Sequence, residues 1–433
     1  MRVNIIGAGL AGCEAAYQLA KRNIKVKLYE SKKHKKTPAQ SLDTFAELVC
    51  SNSLRSDSLM NAAGVMKEEL RKLDSLLLKA ADLYKVPAGN ALAVDRELFS
   101  KYITKELEKH PLIEIIHEEV TCIPQGPCIL ATGPLTHSGL AEDIQKFIGE
   151  DMLYFYDAIA PVIEADSIDM TKAYFKSRYD KGDADYINCP MNEEEYSNWY
   201  QEVIEAKTAE VKDFEMKVFE GCMPFEEMAK RGYQTLLFGP LKPVGLEKPG
   251  EKRPFAVVQL RQDNLKKTMY NIVGFQTHLT FSEQKRIIQM IPGLEKAKII
   301  RYGIMHRNTF INAPHAINEY YQSKKRDNLF FAGQLSGVEG YVESIASGLV
   351  AGLNMARFLK GLNLIKMPID SAIGSQADYI AHAPIDSFQP MNTNFGIFPD
   401  LKEKHKKKER KNLYAQRALD AIDQLIKDEN IDQ

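Results

Sequence analysis

Few folds can accommodate the first residues of this chain. Residues 3–12 read Val-Asn-Ile-Ile-Gly-Ala-Gly-Leu-Ala-Gly, an apolar run that enters a Gly-x-Gly-x-x-Gly loop. The pattern predicts a buried strand, a tight turn and a helix whose amino-terminal N–H groups suit a pyrophosphate. A second strand, Lys25–Tyr29, leads to an acid eighteen residues after the last glycine, where a carboxylate accepts hydrogen bonds from ribose hydroxyls. The segment predicts dinucleotide binding by Gly7, Ala8, Gly9, Leu10, Ala11, Gly12 and Glu30.

A segment near the other end of the chain looks like the second half of the same site. It contains Phe330-Phe331-Ala332-Gly333-Gln334, a glycine-containing turn, and then small residues over Gly348–Leu359 that suit a helix packed closely on a sheet. In flavoproteins, a late strand of this kind returns to the cofactor after the chain has formed another domain. The two segments together predict an FAD site, with Gly333 and Gln334 as its second contact.

The organisation that follows is an α/β fold. We expect an FAD-binding, Rossmann-like domain of the glutathione-reductase type, interrupted by an inserted α+β substrate domain. Residues 1–135 form the first part, since Ala131-Thr132-Gly133 ends a strand where the chain leaves the sheet. Residues 136–325, rich in tyrosines, acids and Pro-Gly turns, form the inserted substrate or RNA domain. Residues 326–433 complete the FAD-binding domain and end in a basic run and an amphipathic helix.

Local patterns predict several further elements. Apolar residues at helical spacing indicate one or two amphipathic helices within residues 57–85. Asp95 precedes a helix that continues to about Lys109. Short strands are expected at Ile113–His117 and Cys128–Ala131.

Composition restricts the cellular setting more than the partner. The chain has 57 basic and 58 acidic residues and a net charge of −1, which argues neither for nor against a nucleic-acid partner. No apolar stretch approaches the ~18 residues that span a bilayer, so no membrane partner is expected. The six cysteines lack metal-ligand spacing, which predicts free thiols in a reducing cytoplasm and no metal site. A cytoplasmic protein is therefore expected.

Two cysteines are candidates for chemistry. Cys50 lies in a polar, turn-prone segment with Arg55 nearby, which favours an ionisable thiol. A small buried hydrophobic residue is an equally good interpretation. Cys222 precedes Pro224 and two glutamates that suit the first turn of a helix, where a thiol has a lowered pKa and is a better nucleophile. An ordinary loop cysteine fits the same residues.

Three other places carry candidate binding groups. His278 follows a strand, where an exposed imidazole would contact a ligand, although a packing histidine is the more usual state. Met305–Thr309, which includes Arg307, is dense in hydrogen-bonding groups and suits an anion. The basic run at 402–411 is either a solvated face or a phosphate-binding segment, with these lysines as its centre: Lys406, Lys407 and Lys408.

These segments, in this order, resemble the folate- and FAD-dependent tRNA (uracil-5-)-methyltransferase family. The resemblance spans nearly the whole chain and rests on long, chemically unusual segments. Besides the glycine loop they include Pro87–Arg96, Tyr154–Pro161, Gly221–Pro224, Arg231–Gly245, Gln259–Asp263, Asn271–Leu279, Tyr302–Asn312 and Phe331–Gly348.

The resemblance implies C5-methylation of a uridine in structured RNA. Members take a methylene group from 5,10-methylenetetrahydrofolate, and a flavin reduced by NADPH or NADH supplies the electrons that complete the methyl group. Uracil C5 is a poor nucleophile until a thiolate adds at C6, and a second group then removes the C5 proton. Cys222 and Cys50 match the two cysteines of the family; we expect Cys222 to be the nucleophile and Cys50 the general acid/base, although the roles are interchangeable. His278, Arg307 and Tyr341 match family segments that line the flavin face.

Departures from the family pattern concern the RNA target. Ser31-Lys32-Lys33 follow Glu30 where Met-Arg-Pro is usual, Lys266-Lys267 replace a small-residue turn, and Phe281 replaces a tryptophan. Because surface lysines set phosphate contacts and docking register, these departures leave two RNA targets open. The resemblance favours the tRNA T-loop, and a uridine of 23S ribosomal RNA is the alternative.

Two alternatives belong to other functional classes. One is an NAD(P)H–flavin oxidoreductase without methyl transfer, which predicts loss of a thiol, whereas both thiols are present. The other is an RNA-binding module that retains FAD structurally. The sequence leaves the oligomeric state open.

Overall fold

The computed structural model describes residues 2–180, 183–209, 223–248, 250–402, 405–429 and 431. The strands in chain order are β1 (Arg2–Ile6), β2 (Lys25–Tyr29), β3 (Ser53–Ser56), β4 (Lys85–Val86), β5 (Ala91–Val94), β6 (Ile113–Ile116), β7 (Cys128–Leu130), β8 (Leu153–Ala158), β9 (Val162–Glu164), β10 (Tyr174–Phe175), β11 (Tyr186–Met191), β12 (Ala256–Gln262), β13 (Met269–Ile272), β14 (Ile299–Arg301), β15 (Met305–Phe310) and β16 (Leu329–Phe331). The helices are α1 (Leu10–Lys21), α2 (Ala62–Lys72), α3 (Leu76–Leu83), α4 (Arg96–Lys109), α5 (Ser138–Ile148), α6 (Glu193–Glu205), α7 (Phe225–Lys230), α8 (Thr235–Phe238), α9 (Phe281–Gln289), α10 (Ala313–Ala316), α11 (Tyr341–Leu359), α12 (Ala372–His382) and α13 (Arg410–Glu429).

A five-stranded parallel sheet organises the amino-terminal and carboxyl-terminal parts of the chain. Its order is β16-β7-β1-β2-β6, and each neighbouring pair is parallel. The chain leaves this sheet after β7 and returns as β16 beside it. The carboxyl ends of the strands meet at one edge, the usual ligand-binding edge of such a sheet. The predicted α/β fold class is confirmed by this arrangement.

The residues between β7 and β16 form a second, antiparallel sheet. Its order is β10-β11-β12-β13-β9-β14. It has its own apolar core, in which Trp199 stacks on Phe225 with ring centroids 5.9 Å apart, and Phe225 lies 4.7 Å from Phe275. A β-bulge lies between Ile299 and Arg301 of β14, the edge strand. A separate two-stranded ladder joins β8 to β15, and a three-stranded sheet has the order β3-β5-β4.

The helices expected from local patterns are present. The segment 57–85 contains two helices, α2 and α3. Asp95 caps α4, because its side chain accepts a hydrogen bond of 3.0 Å from the backbone N–H of Leu98. Capping satisfies one of the free N–H groups of the first turn, which explains why the helix begins here.

The helix near the carboxyl terminus packs directly on the first helix. A Cβ at Gly348 of α11 would lie 2.2 Å from the carbonyl oxygen of Ala11, and one at Gly352 would lie 2.9 Å from the Cα of Ala15. Only glycine permits this approach, so the small residues of α11 hold the two ends of the FAD-type fold together.

Candidate active site

The glycine loop requires glycine for reasons of space and backbone conformation. Gly7 has φ of +100°, and a Cβ there would lie 2.5 Å from the carbonyl oxygen of Ala131. A Cβ at Gly12 would lie 1.8 Å from the carbonyl oxygen of Gly7. The loop therefore brings β1, β7 and the start of α1 into direct backbone contact.

Gly9 shows that the same loop also faces open space. A Cβ at Gly9 would meet no described atom within 4 Å. The loop borders a cleft of about 1100 Å³, its open mouth included, which is also lined by Leu10, Ala11 and Thr132. The first N–H groups of α1 have no partner within the helix and lie at this cleft. A bare backbone, free N–H groups and space for a phosphate fit the pyrophosphate of a dinucleotide.

Glu30 is fixed at the end of β2 in the same cleft. It is 7% exposed, and its two carboxylate oxygens accept hydrogen bonds from the backbone N–H of Ala8 at 3.0 Å and of Lys32 at 2.9 Å. Each oxygen retains a second lone pair, which is what a ribose hydroxyl requires. The predicted ribose contact and the glycine loop therefore lie in one cleft and fit the adenosine part of FAD.

The second predicted contact lies on the opposite wall. Gly333, with φ of +71°, donates its backbone N–H to the hydroxyl of Ser347 at 2.7 Å, and a Cβ there would lie 3.0 Å from the Cβ of Ala11. Gln334 donates a side-chain hydrogen bond of 2.6 Å to Glu339. Both residues line the cleft that contains Gly9 and Glu30. Segments more than 300 residues apart thus form one cavity.

Cys50 lies beside this cleft and is held there by Tyr341. The Tyr341 hydroxyl accepts hydrogen bonds from the backbone N–H groups of Cys50 at 2.7 Å and of Ser51 at 3.1 Å. The Cys50 sulfur is partly buried and lies 3.9 Å from the carbonyl oxygen of Ala158. Tyr341 itself lines the cleft. One predicted thiol is therefore tied through one predicted tyrosine to the wall of the cleft.

The surroundings of Cys50 favour a neutral thiol. Burial raises its pKa well above the usual range, and the negative charges of Asp157 and Glu339 raise it further. The positive charges of Arg301 and Arg96 act in the opposite direction and are weaker. The thiol is consequently protonated at neutral pH, as a proton donor would be, and it becomes a base only after losing that proton.

Two buried acids near Cys50 were missed by the sequence analysis. Burial, and then the charge of Asp157, raises the pKa of Glu339 to about 8. Glu343 is fully buried but pairs with Arg55 and accepts a hydrogen bond of 2.8 Å from the backbone N–H of Thr393. The available sequence signal was a pair of acids, at positions 339 and 343, on either side of Gly340. Of the two, Glu339 raises the pKa of the Cys50 thiol.

The structure corrects the expectation for His278. The sequence predicts an exposed imidazole, but the residue is 5% exposed and does not line the cleft. Its Nδ1 lies 2.8 Å from a carboxylate oxygen of Glu226, and its backbone N–H donates to the same oxygen at 2.7 Å. Because α7 brings this acid against the residue, the more usual packing interpretation describes His278 better.

Arg307 and the three predicted lysines do not line the cleft. Arg307 is exposed on β15, and its guanidinium lies 3.9 Å from the ring centre of Tyr154. Lys406, Lys407 and Lys408 are exposed just before α13. Cys222 lies outside the described residues. The structure thus brings together the glycine loop, Glu30, Gly333, Gln334, Cys50 and Tyr341.

In the part of the chain that the structure describes, no group of three His, Cys, Asp or Glu is arranged to hold a metal ion. None of the helices in the same ranges has the length and apolar character needed to cross a membrane.

Comparison with known proteins identifies relatives over nearly the whole chain. Residues 2–363 match the family model described as glucose inhibited division protein A. The methylenetetrahydrofolate–tRNA-(uracil-5-)-methyltransferase TrmFO of Listeria welshimeri is 62% identical over 423 residues, which cover 97% of this chain and 98% of the relative. The protein of the same name from Anoxybacillus flavithermus is 60% identical over 430 residues, covering 99% of this chain and 100% of the relative.

A solved structure supports the fold. GidA of Aquifex aeolicus superposes with a TM-score of 0.71 at 17% identity, covering 98% of this chain and 76% of the Aquifex chain. At this identity the likeness concerns the fold alone. The sequence matches confirm the resemblance found from the motifs: the chain belongs to the glucose-inhibited division protein A family and, within it, to the TrmFO-type folate-dependent tRNA (uracil-5-)-methyltransferases.

Proposed function

We propose that this chain is an FAD- and folate-dependent methyltransferase that acts on C5 of a uridine in tRNA. The observation that carries the proposal is the Cys50 thiol, held by Tyr341 at the wall of a cleft that fits a dinucleotide. Membership of the TrmFO-type family supplies the reaction. The co-substrates are 5,10-methylenetetrahydrofolate, which supplies the one-carbon unit, and NAD(P)H as reductant.

The residues around the cleft have distinct tasks in this reaction. Gly7–Gly12 and Glu30 hold the adenosine and pyrophosphate of FAD, and Gly333 and Gln334 lie on the opposite wall. FAD supplies the electrons that convert the transferred methylene group into a methyl group. The target base leaves its RNA stack to reach the thiols.

The protein's own thiols perform the chemistry on the base. We assign the nucleophile to Cys222: its thiolate bonds to uracil C6, the C5–C6 double-bond electrons move toward O4, and C5 becomes nucleophilic. As Cys222 adds, the neutral Cys50 thiol donates its proton to O4 and becomes a thiolate, and O4 later loses that proton to solvent. After C5 has gained its substituent, the Cys50 thiolate removes the C5 proton, and the bond between the Cys222 sulfur and C6 breaks to restore the double bond and the Cys222 thiolate. The raised pKa of Cys50 supports this division, because a sulfur of high pKa is a strong base once deprotonated.

The RNA substrate is the finer part of the proposal. We favour the T-loop of tRNA over a 23S ribosomal uridine, because the curated relatives are named as tRNA enzymes. Residues 136–325 form the substrate domain in this proposal, and the protein acts in the cytoplasm. The exposed lysines at 406–408 contribute phosphate contacts.

Labelled methylenetetrahydrofolate tests the proposal directly. The purified yellow protein is given NADPH and either unmodified tRNA or 23S fragments, and 5-methyluridine is mapped by mass spectrometry. We expect the label in the tRNA T-loop. Label only in the 23S fragments would overturn the choice of RNA, and flavin turnover without labelled RNA would favour the oxidoreductase alternative.

The two thiols are tested by single substitutions. Cys222→Ala and Cys50→Ala are expected to lose methylation while retaining FAD, since neither residue belongs to the glycine loop. Cys122→Ala is the matched control, because this thiol is exposed and lies outside the cleft. Normal methylation by Cys222→Ala would show that the nucleophile is another group.

A further inference from the structure

A second cleft opens between the FAD-type part of the molecule and the six-stranded sheet. It has a volume of about 1360 Å³, its mouth included, and is lined by Leu48, Arg96, Val162, Asp263, Ile300 and Arg301 among others. Clefts between two packed units are common places for small-molecule binding. Nothing in the proposed roles of Cys50, Cys222 or the glycine loop uses this space.

The cleft contains a buried guanidinium whose donors are not all hydrogen-bonded, and the nearby charge of Asp263, which also acts on it, is already paired with Arg96. Arg96 pairs with Asp263: its Nη2 donates to the two carboxylate oxygens at 2.6 and 2.8 Å, and its Nε donates to one of them at 3.2 Å. Within the described residues, Nε and Nη2 of Arg301 are buried and have no hydrogen-bond partner. Burial, followed by the like charge of Arg96, lowers the pKa of Arg301 to about 10. A guanidinium in this position is stabilised when an anion occupies the cleft.

The backbone directs Arg301 to this position. The β-bulge of β14 lies between Ile299 and Arg301, opposite Ile163 and Val162 of β9. Bulges re-aim side chains and are frequent beside functional sites. Because β14 is an edge strand, the bulge leaves the remaining ladder of the sheet intact.

The second cleft adjoins the reacting thiol. The charge of Arg301 acts on Cys50 and on the Tyr341 hydroxyl. Glu47 lines both this cleft and the glycine-loop cleft. A molecule that binds here therefore has one end close to the reaction centre.

The mouth of the cleft differs from its interior. Leu98 and Ile300 line it and are exposed, and so are two lining lysines, Lys101 and Lys266. A mixed apolar and basic entrance above a buried guanidinium suits an elongated, partly aromatic anion.

We propose that this cleft binds the anionic end of a small aromatic co-substrate and that Arg301 is its carboxylate or phosphate ligand. The inference rests on the proposed function, in which two co-substrates have this chemistry. The first is methylenetetrahydrofolate, with its aminobenzoyl-glutamate tail, and the second is NAD(P)H, with its phosphates. Arginine suits both, since its planar fork matches carboxylate and phosphate oxygens.

The test compares Arg301→Met with the wild-type FAD-loaded protein. Lys298→Met is the matched control, because Lys298 is exposed near the same edge strand and pairs with Glu164 at 3.1 Å. Calorimetry gives the Kd of tetrahydrofolate and of 6-methyltetrahydropterin, which has the ring without the anionic tail. Stopped-flow flavin reduction gives the apparent affinity for NADPH and NADH.

If the tail of folate binds here, Arg301→Met raises the Kd of tetrahydrofolate about tenfold or more. The Kd of 6-methyltetrahydropterin stays within about twofold of the wild-type value. If the dinucleotide binds here, the apparent NAD(P)H affinity falls about tenfold and both pterins are unchanged. Arg301→Lys keeps the charge without the fork, and we expect an intermediate loss of affinity. Arg301→Lys also provides the affinity measurement if Arg301→Met does not fold.

Other outcomes separate the inference from the proposed function. Unchanged affinities for both co-substrates in both variants, with a wild-type protein that binds them and methylates RNA, would overturn the cleft assignment alone. A loss confined to RNA affinity would overturn it in favour of a nucleic-acid contact. A wild-type protein that binds neither co-substrate would overturn the proposed function itself.

Discussion

The nucleotide cleft and the group around Cys50 share a wall but are made of different parts of the polypeptide. The cleft includes the backbone of Gly7, Gly9 and Gly333, which lie where the strands of a parallel sheet end. The surroundings of Cys50 are set by side chains, among them Asp157 and Glu339, from distant parts of the sequence. A site that is formed by backbone depends on how closely neighbouring backbone segments approach each other. A site that is formed by side chains depends on which of its charges are paired. Substitutions should therefore damage the two regions in different ways.

The largest effect is expected from Gly12→Ala. Its Cβ would lie 1.8 Å from a carbonyl oxygen, so α1 or the loop must move, and we expect loss of FAD and a destabilisation of several kcal/mol. Gly9→Ala is the control, since its Cβ meets no described atom within 4 Å. Gly9→Ala should leave the Tm of the FAD-free protein unchanged and should lower only the affinity for FAD. Flavin absorbance per protein and thermal unfolding measure both; full FAD content in Gly12→Ala would contradict the geometry.

The second-largest effect is expected from removing one partner of a buried ion pair. Arg55→Met leaves the fully buried carboxylate of Glu343 without its cation, and about 3 kcal/mol of unfolding free energy should be lost. The double variant Arg55→Met/Glu343→Gln should recover most of this loss, because the unpaired charge is gone. Chemical denaturation measures both free energies. Equal destabilisation of the single and double variants would mean that packing, and not charge, determines the effect.

Glu339 should give the molecule a pH-dependent stability. Its pKa in the folded protein is about 8, above the ordinary value of 4.5, so the folded state binds the proton more tightly than the unfolded state. Its contribution is complete below pH 4.5 and is lost as pH rises through about 8. Glu339→Gln should flatten this part of the Tm profile between pH 5 and 9. Some slope remains, because burial also raises the pKa of Glu69 to about 8.

The same substitution should change the reactivity of Cys50 moderately. Removing a negative charge lowers the thiol pKa, so Glu339→Gln should increase alkylation of Cys50 by iodoacetamide a few-fold at pH 9, where Glu339 is ionised. Peptide mass spectrometry measures the rate at this one residue. Exposed Glu142, changed to glutamine, is the control. A slower rate in Glu339→Gln would reverse the sign that the structure requires.

The smallest effect is expected far from both regions. Changing Lys406, Lys407 and Lys408 to glutamine should weaken tRNA binding a few-fold and reduce the slope of log affinity against log salt by up to about 2. The lysines are exposed, so each phosphate contact is largely screened. Exposed lysines at 79, 85 and 105 provide a control of equal charge. An unchanged salt slope would make the run a solvated face.

The nucleotide half of the site was predictable because its information is local. Neighbouring backbone requires glycine at positions 7 and 12, and Gly7, Gly9 and Glu30 line one cleft. The cap of α4 by Asp95 is local in the same sense. A pattern of adjacent residues was sufficient in each case.

The thiol half was not predictable for the opposite reason. The sequence left Cys50 open between a reactive and a buried residue. Its protonation depends on Asp157 and Glu339, which are distant in sequence, so the residues next to Cys50 do not predict it. The sequence also left His278 between a ligand contact and a packing residue, and its burial depends on Glu226 from α7. Long-range charge and packing decided these residues.

The contact of Gly348 and Gly352 with α1 has a consequence for biosynthesis. The helix that begins at Leu10 leaves the ribosome long before the helix that it packs against has been translated. A nascent chain that ends before Tyr341 lacks one wall of the cleft, so premature termination yields products that do not retain the coenzyme. Yellow colour is therefore expected only of polypeptides whose translation has passed α11.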